Sequence, residues 1–64
     1  MDRVLVVDDD QPTRHLVKTI LTSAGYDVIQ AADGEQGFKT ALDERPDLII
    51  ADIMMPLIDR VFNN

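Results

Sequence analysis

An α/β domain built as β-α-β-α-β around a parallel sheet is the fold class this sequence predicts, and three observations predict it. Two short runs, Arg3–Val7 and Leu48–Ala51, are apolar almost throughout, as parallel strands buried on both faces are. A third run, residues 26–31, is more mixed and reads as a strand nearer a sheet edge. Helical periodicity fills both gaps, and strands alternating with helices over short connections imply right-handed crossovers and a parallel sheet.

Each element carries its own start and stop signals. After the first strand, Asp10 offers an N-cap and Pro12 falls in the first helical turn, where its missing N–H costs little. Leu16, Val17, Ile20, Leu21 and Ala24 then recur at helical spacing as one apolar face, and Gly25 closes the helix as its C′ residue. Asp33 with Gln36 resembles a capping box, and Phe38, Ala41 and Leu42 mark the expected buried stripe of a second helix. Pro46 is expected to stop it. The third strand ends on Asp52, after which Met54, Met55 and Pro56 read as a loop. Leu57, Ile58, Val61 and Phe62 have helical spacing over a segment long enough for about two turns.

Composition narrows the function classes. With 64 residues, 45% of them hydrophobic, there is material for one small core, so residues 1–64 read as a single domain and most ordinary enzymes are excluded. A chain this short buries only about 60% of the surface its unfolded form exposes. There are no cysteines, which excludes disulfides and thiolate metal sites. Twelve acids against six Lys and Arg give a net charge of −6, a poor balance for binding nucleic acid. No apolar stretch is long enough to span a membrane and no export leader opens the chain, so a cytoplasmic location is expected.

The acids are placed where chemistry is expected. Ligands of parallel sheets bind beyond the carboxyl ends of the strands. Asp8 and Asp9 follow the first strand and Asp52 terminates the third. If those strands are neighbours, three carboxylates meet at one edge, and a cation would offset their repulsion. Oxygen-only ligands at an open site suit Mg²⁺. Asp10 is read as a helix cap rather than a ligand, and His15 as a surface helical residue.

Val4-Leu5-Val6-Val7-Asp8-Asp9-Asp10, then Ala31-Ala32-Asp33-Gly34, then the run from Pro46 to Pro56 containing Asp52-Ile53-Met54-Met55-Pro56, resemble the receiver domain of two-component response regulators. The resemblance covers residues 3–59. It implies the first half of a flavodoxin-like fold with strand order 2-1-3. It also implies Asp52 as acceptor of a phosphoryl group from a histidine kinase, with Asp8, Asp9, Asp52 and the Met54 backbone carbonyl as Mg²⁺ ligands. The protein would be a phosphoacceptor at most rather than an enzyme.

The chain also departs from the family pattern. The Ser or Thr after a fourth strand and the Lys after a fifth, which contact the phosphoryl oxygens in the family, have no counterpart, and Arg60 stands where Gly is usual. Lys18 and Lys39 lie within helices. Thr13 and Arg60 fall nearer the expected site, and Arg60 is read as a solvated loop residue in preference to a replacement for that Lys. The third strand would be an exposed apolar edge, so a homodimer is expected, with that strand pairing antiparallel to its two-fold mate. The alternative function is a non-switching receiver fragment that serves as a dimerising binding module.

Overall fold

A computed structural model of the protein describes residues 2–51. The order is β1 (Arg3–Val7), α1 (Gln11–Ser23), β2 (Asp27–Ala31), α2 (Gly34–Glu44) and β3 (Leu48–Ala51). The three strands form one sheet of order β2-β1-β3, parallel at both pairings. The predicted α/β class and strand order are therefore present, and β1 and β3 have the predicted bounds. Val4 to Val7 lie opposite residues 28–31 on one side and 48–51 on the other.

The helix ends follow from local chemistry. Asp10 caps α1 through its carboxylate on the Thr13 N–H at 3.1 Å. At the far end Gly25 takes φ +97°, and the N–H groups of Gly25 and Tyr26 donate to the carbonyls of Thr22 and Leu21 at 3.0 and 3.1 Å. That pair of bonds is a Schellman closure, which explains why β2 begins at Asp27 and not at Tyr26 as predicted. The predicted capping box of α2 forms with a shifted return bond: the Gln36 N–H donates to Asp33, and the Gln36 side chain accepts from Ala32, both at 2.7 Å. α2 ends at Glu44, and its C-cap Arg45, the residue before Pro46, adopts the left-handed conformation with φ 48°.

The core is narrow. Leu5 and Val7 project to one face and pack with Ala31, flanked by Ile29, Ala41 and Ala51. α2 lies on this face, because its Gly37 sits directly against Val7. Val4 and Val6 are buried on the opposite face, where the reversal of strand order places α1. Both helices pack on β1 and β2.

This arrangement corrects two expectations. Leu16 and Ile20 of α1 are exposed, as are Phe38 and Leu42 of α2, although periodicity assigned them to buried stripes. Gly37 brings α2 so close to β1 that the small residues Gly37 and Ala41 make the contact and the larger side chains fall outside it. Among the described residues β3 is the exposed apolar edge strand that was expected, with Leu48, Ile49 and Ile50 54%, 50% and 38% exposed.

Arg3 ties together the end of the sheet where the strands begin. Its guanidinium pairs with Asp27 at 3.4 Å and Glu44 at 3.1 Å, and its N–H donates to the Asp47 carboxylate at 2.7 Å. These groups are well exposed, so each ion pair is worth about 0.2–1 kcal/mol. Their use is to fix strand register at the end opposite the acidic turn.

Candidate functional site at the carboxyl edge of the sheet

The turn from β1 to α1 is held by four anchors. The Asp8 N–H extends the β1–β2 ladder to the Ala31 carbonyl at 3.2 Å. One oxygen of the Asp8 carboxylate accepts from the Asp10 N–H at 2.9 Å. The Arg14 N–H donates to the Asp10 carbonyl at 2.9 Å, the first bond of α1. Finally, the Arg14 guanidinium donates from Nη1 to the Asp8 carbonyl at 2.7 Å, in a part-buried bond.

The acids at this edge divide by what their oxygens do. Asp10 and Asp33 are used as caps. The Thr13 hydroxyl also donates to the Asp10 carboxylate, which places Thr13 in the cap rather than at a phosphoryl group. Asp8, half-buried, has one oxygen engaged by the turn, and Asp9 is exposed and takes part in none of the side-chain hydrogen bonds or ion pairs among the described residues. Two adjacent residues thus present hard oxygen donors at an open edge, a set that fits Mg²⁺. Among the described residues no third such group joins them. Asp52, Met54 and Arg60 lie outside the described residues. The strand leading to Asp52 is described: Ala51 pairs with Val7, the residue before Asp8. His15 is exposed on α1, Lys39 is exposed on α2, and Lys18 is half-buried within α1.

The hydrogen bonds from the Thr13 hydroxyl and then the Thr13 N–H hold the Asp10 carboxyl below its ordinary value of 3.8, with Arg14 adding to the effect and desolvation opposing it. A lowered native value stabilises the fold above the ordinary carboxyl value, and this contribution is lost as pH falls through the native one. Asp10→Asn keeps a capping oxygen but cannot titrate there. Urea midpoints compared at neutral and strongly acidic pH are therefore expected to fall less in Asp10→Asn than in the parent protein.

Arg14 was not singled out by the sequence reading. The available signal was a basic residue in the first turn of the helix that follows an acidic turn, close enough for its long side chain to reach back.

A three-stranded parallel sheet flanked by two helices, with the carboxylates of Asp8 and Asp9 at its carboxyl edge, defines a flavodoxin-like α/β module. The sequence matches the response regulator receiver domain over residues 4–60, and the chain belongs to that family. It is 46% identical over 59 residues to the alkaline phosphatase synthesis transcriptional regulatory protein PhoP of Bacillus subtilis (strain 168), covering 92% of this chain and 25% of that protein. It is 48% identical over 59 residues to the DNA-binding dual master transcriptional regulator RpaA of Synechocystis sp. (strain ATCC 27184 / PCC 6803 / Kazusa), covering 92% and 24%. The chemotaxis response regulator CheY4 of Vibrio cholerae superposes with a TM-score of 0.84 at 44% identity, over 89% of this chain and 48% of that one. The chain spans about a quarter of the length of these curated relatives and about half of the solved chain. No described helix is long and apolar enough to cross a membrane.

Proposed function

We propose that this chain is a phosphoacceptor module of a cytoplasmic two-component phosphorelay, in which Asp52 receives the phosphoryl group of a histidine kinase's phosphohistidine. The observation that carries the reading is the register of β1 and β3. Val7 and Ala51 are paired, so the chain runs on toward Asp8 and toward Asp52 from neighbouring positions on one sheet edge. A carboxylate oxygen of Asp52 attacks phosphorus and forms a P–O bond. The P–N bond breaks, and its electron pair stays on the imidazole nitrogen, which is then protonated. The product is an acyl phosphate on Asp52. Asp8 and Asp9, with Asp52 and the Met54 backbone carbonyl, would hold Mg²⁺, which when bound offsets the charge gathered on acceptor and phosphoryl oxygens. The chain accepts one group and does not turn over as an enzyme does.

Acetyl phosphate with Mg²⁺ tests this by intact mass. The expected result is the gain of one phosphoryl group, absent in Asp52→Asn. No gain at saturating Mg²⁺ would overturn the proposal and leave the non-switching binding module.

Among the described residues β3 is an edge strand with exposed apolar side chains, which favours a second element of the reading, self-association. Antiparallel pairing of β3 with a second copy would give a six-stranded sheet of order 2-1-3-3′-1′-2′ and cover Leu48, Ile49 and Ile50. Sedimentation velocity at micromolar concentration is expected to show a dimer. A folded monomer throughout that range rules it out.

A further inference from the structure

We infer that Arg14 is a positioning residue for the cation site, acting through the peptide unit that joins Asp8 to Asp9. The inference rests on the reading of Asp8 and Asp9 as Mg²⁺ ligands. Its observation is the 2.7 Å bond from Arg14 Nη1 to the Asp8 carbonyl. A peptide unit is planar, so holding the Asp8 carbonyl oxygen also fixes the Asp9 N–H and the directions in which both Cα atoms lie. Asp8 and Asp9 are the two residues that flank this plane. They are also the two acids of the turn that still offer carboxylate oxygens, both from Asp9 and one from Asp8.

The rest of the turn does not duplicate this restraint. The Ala31 carbonyl holds the preceding peptide unit, through the Asp8 N–H. The Asp8 carboxylate holds the following one, through the Asp10 N–H, and in doing so uses an oxygen of the ligand itself. Among the described residues Arg14 alone grips the unit between them from outside the acidic run, by a half-buried side chain anchored in the first turn of α1.

The sign of the effect separates positioning from charge. A guanidinium beside a cation site repels the incoming Mg²⁺, so if charge alone mattered, its removal would strengthen binding. If Arg14 orients the ligands, its removal weakens binding. Loss of a group that orients metal ligands typically costs about 10–100-fold in affinity, and about 10-fold is expected here.

Mg²⁺ titrations of the full chain by calorimetry, with the amide shifts of Asp8, Asp9 and Asp10 followed by NMR, test the inference. Arg14→Ala is expected to bind Mg²⁺ about 10-fold more weakly, while Arg14→Lys, which restores a donor of similar reach, recovers most of the affinity. Far-UV circular dichroism confirms the fold of each variant. If Arg14→Ala does not fold, Arg14→Gln, whose shorter side chain withdraws the donor from the Asp8 carbonyl, carries the comparison and is expected to bind more weakly as well. Unchanged or tighter binding in the folded variants, with binding weakened in Asp9→Asn, overturns the role of Arg14 and leaves the acidic site standing. Binding unaffected by Asp9→Asn removes the acidic site, and the role of Arg14 with it.

Discussion

Replacing Leu5 with alanine is expected to remove about 2–5 kcal/mol of stability, a large share of what a chain of this length has. Leu5 is 0% exposed and stands in the middle of the central strand, with Ile29 of β2 on one side and Ile49 of β3 on the other. It belongs to the small cluster with Val7 and Ala31 that α2 covers. Truncating a buried Leu costs about 2–5 kcal/mol, the upper part where the surroundings cannot collapse into the space. They have little room to do so here, because β1 is hydrogen-bonded on both edges. The whole chain has roughly 3–10 kcal/mol to lose at its length. Urea denaturation followed by circular dichroism measures the loss, and a midpoint within experimental error of the parent would contradict this account of the core.

The strands were legible because their apolar runs are short and sharply delimited. Arg3–Val7 stops at three aspartates and Leu48–Ala51 stops at one, so pattern and punctuation agree. The caps at Asp10, Gly25 and Asp33 were legible for the same reason, each being a residue type whose side chain or backbone freedom the helix end requires. The covered width of each helix was not. Periodicity tells which residues share a face, but not how much sheet lies beneath it. The helices rest on β1 and β2, so Leu16, Ile20, Phe38 and Leu42 lie beyond the contact. In the site, Asp8 and Asp9 were found because charge at a strand end is conspicuous. Arg14 was missed because its contribution is a bond to a main-chain carbonyl, which leaves no pattern in residue type.

Gly37 is the second position where a small change is expected to have a large effect, and the expectation runs against helix propensity. Alanine in place of a mid-helix glycine usually gains about 1 kcal/mol, and Gly37 lies inside α2 with nothing in its helical conformation that demands glycine. A Cβ at this position would stand 2.7 and 3.0 Å from the two γ-methyl groups of Val7. Val7 cannot easily yield. It is β-branched, 4% exposed, and paired on both sides within the sheet. Overpacking of this kind costs about 1–3 kcal/mol, which exceeds the propensity gain over most of its range. Gly37→Ala is therefore expected to lower stability by about 1 kcal/mol, where an exposed helical glycine would raise it. The double variant Val7→Ala/Gly37→Ala tests the cause. If the clash is responsible, Gly37→Ala stabilises the protein in the Val7→Ala background, and the two effects couple with a sign reversal that distant sites do not show. A destabilisation of the same size in both backgrounds would place the cost elsewhere in α2, and the close approach of α2 to β1 would no longer account for the exposure of Phe38 and Leu42.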